Sequence, residues 1–332
     1  MAANKASLKI LAEHAGVSKA TASWVLSGQG RSRGISPDTC EKVLNKAKEL
    51  GYRPNRLAQG LSTGKSHTIG VVLSSLADPF YGGLALALID AAEKRGYSVM
   101  MATSESDSVK EINAIKIFIE NQMDGILVTP CLDSKQALCN YVDEGVNLVM
   151  IDRGIRGVAA PSVVMDNRES ARTIVAGLIA KGCRKIAIFT TSHYLENMQE
   201  RYLGYCDALR SAGLPVDERL LCDFTYESNV EDRYRKIDEV LAYEPGIDGI
   251  FFTTHVLVLS TYSHFVDLRR DTYRGEHWAC IHNTDDFKLL LPGISIARIP
   301  ITDMGKKSVE MLLDRAGNPC EQVVLPSKLI MP

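Results

Sequence analysis

No window of this chain holds 18 consecutive apolar residues, so the sequence offers no membrane-spanning helix. Nor does its start pair a basic stretch with a long apolar run, because Lys5, Lys9, Glu13 and His14 interrupt the first fifteen residues. That pattern argues against a secretion signal. The eight cysteines (Cys40, Cys131, Cys139, Cys183, Cys206, Cys222, Cys280 and Cys320) are scattered, with no CxxC pair and no zinc-site spacing. We expect reduced thiols, most of them buried as small hydrophobes, in a cytoplasmic protein. P-loop and HExxH motifs are absent, so the standard nucleotide and zinc-protease chemistries have no carrier here. No metal, cofactor or membrane partner is expected. No internal repeat or low-complexity segment is evident.

What the 332 residues do contain, at 45% hydrophobic and 23% charged, is material for two or three globular domains. The net charge of −2 hides an asymmetry. Residues 1–65 carry 11 Lys and Arg against 4 acids, or +7, whereas the remainder carries 27 against 36, or −9. A basic head on an acidic body fits a head that meets a polyanion, although charge alone fits a solvated face equally well.

The head reads as short helices. Ser7 caps a helix over 8–15 with Leu8, Leu11, Ala12 and Ala15 on one face, and Gly16 breaks it. Val17 plugs the corner, and Ser18 caps a second helix over 19–26 whose Ala22, Val25 and Leu26 face inward. Helix, glycine turn, helix is the helix-turn-helix unit. Its second helix would present Lys19, Ala20 and Ser23 to bases and Ser18 and Thr21 to phosphates. Two such helices alone would also suit a helical hairpin with no DNA role. Trp24 is large for this helix and either packs or reads. Ser36-Pro37-Asp38 starts a third helix with an inner stripe of Cys40, Val43, Leu44, Ala47 and Leu50, stopped by Gly51. In 52–61, Asn55 caps one further short helix that would order only against a partner helix and DNA, a candidate switch.

The runs SLKILAEHAGVSKATASWVLSG (7–28) and ISPDTCEKVLNKAKELGYRPNRLAQGLSTGKSHTIGVV (35–72) resemble the head and hinge of the lac repressor family, and the resemblance continues through the whole chain. It implies a transcription repressor with a head at 1–52, a hinge at 53–65 and an effector-binding, dimerising body at 66–332. In that family paired hinge helices enter the minor groove and a leucine wedges into the central base step. Leu61 holds that position here, with Asn55, Arg56 and Ala58 beside it. The resemblance implies double-stranded operator DNA, a small sugar or sugar-phosphate effector and a homodimer or tetramer as partners.

After the hinge, apolar runs at 68–73, 98–102, 125–128, 148–151, 186–189, 249–253 and 278–281 alternate with amphipathic stretches such as 81–95, 111–122, 168–181 and 199–212. This is the pattern of parallel sheets covered by helices on both faces, an α/β body. Two such sheets would hold a ligand at the carboxyl ends of their strands. The resemblance makes them two Rossmann-like subdomains of periplasmic-binding-protein type, over 66–165 plus 299–318 and 166–298 plus 319–332. It places Phe80 and Tyr81 of Asp78-Pro79-Phe80-Tyr81, Asp152-Arg153, Asp166, Arg201 of the Arg-Tyr-Leu-Gly-Tyr run, and Phe224 in the effector site. Thr254-His255 and His282-Asn283 stand where the family carries Asn-Asp and Asp-Asp, and we count Thr254 and His282 with the site. Replacing acids there puts a carboxylate-held neutral sugar in doubt. Residues 21–23, 28–35, 251–254 and 268–271 are similar to the fructose and sucrose repressors of the family.

Two other classes compete. A solute-binding protein without a DNA role would lack the head. A carbohydrate-acting enzyme would need chemistry that His277 and His282 with Asp285 and Asp286 could supply, but HxxxxH fits no standard helical zinc motif.

Overall fold

A computed structural model describes residues 7–52, 64–191, 194–224, 229–268, 275–282, 287–314 and 320–332. It divides into two compact units, 1–66 and 67–332.

In the first unit α1 spans Leu8–Ala15, α2 Lys19–Leu26 and α3 Pro37–Glu49. Each is opened by a serine whose hydroxyl accepts a first-turn N–H: Ser7 from Ile10, Ser18 from Thr21 and Ser36 from Thr39. Gly16 ends α1 at φ +66°, a left-handed conformation natural to glycine, and its N–H donates back to Ala12 and Glu13. The core is small: Leu11, Ala12, Ala15, Ala22, Val25, Val43 and Ala47 are buried. Leu44, expected inside, is 45% exposed, and Cys40, Leu50 and Leu26 are half-buried. Eight-residue helices cover only a narrow strip of α3, and Val43 and Ala47, one turn apart, fill it.

The second unit holds two six-stranded sheets. The first comprises β1 Thr68–Leu73, β2 Ser98–Thr103, β3 Gly125–Val128, β4 Leu148–Ile151, β5 Ser162–Met165 and β11 Gln322–Leu325. The second comprises β6 Ile186–Thr191, β7 Leu221–Phe224, β8 Gly249–Phe252, β9 Trp278–Ile281, β10 Ser295–Arg298 and β12 Lys328–Ile330. Their orders, β11-β5-β4-β3-β1-β2 and β12-β10-β9-β8-β6-β7, are the same order twice. A topological repeat is therefore present where the sequence shows none, because the layout requires only buried apolar strands of the right length and not matching residues. β3, β4, β5, β8 and β9 are buried at every position, as strands covered on both faces must be.

The repeat differs at its edges: β11 runs parallel to β5, whereas β12 runs antiparallel to β10. This corrects the expected partition. Only Lys328–Ile330 of segment 319–332 joins the second sheet, and Gln322–Leu325 joins the first. β11 alternates exposed and half-buried residues at a sheet edge, and its short apolar stretch Val323-Val324-Leu325 suits either sheet in advance of the fold. Helix Ile301–Asp314 returns to the first sheet, packing on helix Pro79–Lys94 and on β3, β4 and β5.

Candidate functional site

The carboxyl ends of both sheets converge on one cavity of about 210 Å³. β1 leads into Asp78-Pro79, where the Asp78 carboxylate accepts from Phe80 N (2.8 Å) and Pro79 opens helix Pro79–Lys94, which fixes Phe80 and Tyr81 at the cavity wall. β4 ends at Asp152 and β9 at His282, equivalent positions in the two sheets. Both residues are left-handed, at φ +72° and +67°, and each donates its N–H to the adjacent strand: Asp152 to Val163 O (3.0 Å), His282 to Ala297 O (2.8 Å). Strained non-glycine backbone of this kind concentrates at binding sites.

Arg153 and Arg201, both buried, differ in their partners. Arg153 donates Nε–H to Pro130 O (3.0 Å) and lies 3.7 Å from the Asp152 carboxylate. The loop that carries Pro130 is seated by the fully buried Glu111, which accepts from Cys131 N at 2.8 Å. Arg201 donates Nε–H to Asn167 Oδ1 (2.8 Å) and Nη1–H to Thr253 O (2.6 Å), both neutral acceptors. Among the described residues no carboxylate lies within 4.0 Å of it. Burial pulls its proton affinity down, with Asp152 opposing from a distance. Its helix, Glu196–Ser211, approaches helix Asn167–Ala180 so closely that a Cβ on Gly204 would strike the Arg168 carbonyl oxygen. Glycine one turn beyond Arg201 is what lets the guanidinium reach Asn167.

His255 and His282 meet with ring centroids 4.9 Å apart, and His282 also stands edge-on to Phe80 at 5.6 Å. His255 Nε2 lies 3.4 Å from the Asp78 carboxylate. His255 Nε2 and His282 Nδ1 are buried with no hydrogen-bond partner among the described residues. Burial, then His255, Arg201 and Arg298, push His282 down to about 3, so the ring is neutral near pH 7. Burial and Arg201 lower His255 against the opposing pull of Asp78.

A pH experiment follows. The folded-state value for His282 lies below its ordinary 6.5, so between these values the unfolded chain binds the extra proton. The stability this ring contributes is complete above that window and is lost as pH falls through it. Going from pH 7.5 to 5 should cost about 2 kcal/mol through His282. Thermal melts of wild type and His282→Asn check this, the variant showing the flatter pH dependence. Asn tolerates the left-handed backbone at this position. Equal pH dependence in the two proteins would disprove the assignment.

Phe80, Tyr81, Asp152, Arg153, Arg201, Phe224, Thr254 and His282 all line the cavity. Asp166 does not. Its carboxylate caps helix Asn167–Ala180, accepting from Glu169 N at 3.1 Å, and it borders a second cavity of about 280 Å³ beyond Asp152 and Arg153. A carboxylate directly before a helix start is drawn to the free N–H groups, and the cavity Asp166 borders shares Asp152, Arg153 and Asn197 with the first. The sequence reading missed Asn197, which lines the cavity and donates to Asp152 Oδ2 (3.2 Å). It stands four residues before Arg201 on one helix face, a spacing that could have found it. His277 is exposed before β9 and His282 is buried after it, so the two do not meet. Asp285 and Asp286 lie outside the described residues, among which no cluster could hold a metal ion.

In the head, Ser18, Lys19 and Ala20 are exposed at the start of α2, and Thr21 and Ser23 are half-buried. Ser18 Oγ and Thr21 Oγ1 bond to each other at 2.8 Å. Asn55, Arg56, Ala58 and Leu61 lie outside the described residues.

A helix-turn-helix head and a two-sheet body with a ligand-sized cleft define a ligand-controlled DNA-binding protein. The family model "Bacterial regulatory proteins, lacI family" matches residues 7–55, and "Periplasmic binding proteins and sugar binding domain of LacI family" matches 66–259. The transcriptional regulator GalS of Salmonella typhimurium is 33% identical over 93% of this chain and 89% of its own. The lac repressor dimer bound to operator and an anti-inducer superposes with a TM-score of 0.84, at 21% identity over 98% of each chain. Cra of Pseudomonas putida, in complex with fructose 1-phosphate, gives 0.71 at 20% identity over 80% of this chain and 98% of its own. The chain belongs to the lacI family of bacterial regulatory proteins. It is a DNA-binding transcription regulator whose body is of the family's sugar-binding type.

Proposed function

We propose that this protein is a dimeric, cytoplasmic, non-catalytic repressor, nearest the fructose and sucrose repressors, that an anionic sugar such as a hexose phosphate releases from its operator. The head is 1–52, the hinge 53–65 and the body 66–332. The observation that carries the anion is Arg201, a buried guanidinium whose bonds go only to neutral acceptors in a cavity walled by Phe80, Phe224, Leu257 and Ile281, with Asp78 and Asp152 on the same wall but bonded elsewhere. A buried cation without a counter-ion is costly, and a phosphate or carboxylate supplies one in fork geometry. His255 and His282 add buried imidazole nitrogens to the wall beside the Asp78 carboxylate. Ligand preference for one body conformation is what shifts the hinge equilibrium, and closure that separates the two hinge segments releases DNA.

Calorimetric titration of hexose phosphates and their parent sugars tests the charge. A phosphorylated sugar should bind at least about tenfold more tightly than its parent, and Arg153→Ala should weaken it. Tight binding of a neutral sugar, without binding of its phosphate and without an effect of Arg153→Ala, would sink the reading. A neutral ligand would then be held through Asp152.

A further inference from the structure

One exposed feature of the head has a different partner in view. Trp24, on α2, is 36% exposed, one turn beyond Ala20 and Thr21, while Ala22 and Val25 take the buried side. Trp24 therefore continues the face that α2 turns outward. The Arg33 guanidinium lies over its ring, 5.1 Å from the centroid. The loop that delivers Arg33 is anchored on Trp24 itself: Ser27 Oγ donates to the Trp24 carbonyl at 3.1 Å and Gln29 N at 2.8 Å. Farther along, Ile35 N donates to Gly30 O (3.0 Å), and Gly30 is buried so tightly that a Cβ would stand 2.8 Å from Cys40 Sγ. Among the described residues no acceptor engages the Arg33 side chain.

We propose that Arg33, held over the Trp24 ring, is a base-reading residue that extends the recognition surface of α2 and selects a guanine in the major groove. This rests on the DNA-binding reading of the head. A cation–π contact with the ring restricts the rotamers of a long side chain without using up its N–H donors. A planar fork aimed in a fixed direction matches the O6 and N7 acceptors of guanine. A phosphate contact needs only a nearby cation and gains little from a stacked, oriented one.

The test is selection of duplexes from a random pool by the full-length chain as wild type, Arg33→Lys, Trp24→Leu and Trp24→Phe. Wild type should enrich a half-site containing a guanine whose preference over other bases falls about tenfold in Arg33→Lys and Trp24→Leu. Trp24→Phe, which keeps an aromatic face, should restore it, and the rest of the motif should stay unchanged in all four. An unchanged motif in Arg33→Lys, with uniform weakening and a shallower salt dependence, would reassign Arg33 to a phosphate and overturn the proposal. Enrichment of no motif by wild type would overturn the DNA-binding reading as well, an outcome distinct from the first.

Discussion

Arg201→Met is expected to leave operator binding intact in the absence of effector and to make the repressor unresponsive to it. The guanidinium bonds of Arg201 converge on Asn167 and Thr253 from inside the cavity wall, at 2.8 and 2.6 Å, and its remaining N–H groups are those an anionic ligand would meet. Hydrogen bonds to a charged group contribute about 1.5–3 kcal/mol each when buried, so losing the fork should weaken the effector about a hundredfold or more. The fold should persist, because an unbranched apolar side chain fills much of the same volume and removes a buried charge that is bonded only to neutral acceptors. The vacated Asn167 and Thr253 acceptors should still lower the melting temperature modestly. Calorimetry with the best hexose phosphate, together with operator binding measured by anisotropy with and without it, separates these effects. Wild-type affinity in the variant would remove Arg201 from the ligand site, and loss of operator binding without effector would make its role one of folding.

The other large effect concerns the head. A fragment comprising 67–332 should retain effector affinity and remain dimeric while losing sequence-specific DNA binding completely. The body is a compact unit with its own cores, and every residue lining the cavity belongs to it. β2 is an edge strand of the first sheet, flanked by helices Pro79–Lys94 and Ser108–Glu120. These elements leave Leu86 70%, Val109 63%, Ile117 50% and Met100 45% exposed. An open edge ringed by large apolar side chains is where a second copy would gain most from association. Leu86→Asp in the same fragment should therefore shift it to a monomer in sedimentation, with effector binding preserved. Specific DNA binding by the fragment would overturn the domain assignment, and an unaltered dimer in Leu86→Asp would move the interface elsewhere.

Much of this architecture was legible along the chain because its signals are local. Serine caps, Gly16 and the Ser36-Pro37 start act within one turn, and they mark the three head helices as they stand. Strands buried on both faces must be continuous apolar runs, so β1, β3, β4, β8 and β9 announce themselves. The charge division between head and body is likewise a property of composition. Other features depend on contacts between distant segments and were decided only in three dimensions. β11 and β12, two residues apart, go to different sheets because pairing partners, not local preference, select them. Asp166 and Asp152 are both aspartates following buried strands, yet a free helix N-terminus claims the first while Asn197 and Arg153 hold the second at the cleft. The charge balance of the cavity was equally hidden. Whether a buried arginine is paired depends on which residue the fold brings opposite it, and Arg201 faces a carbonyl and an amide where Arg153 faces a carboxylate.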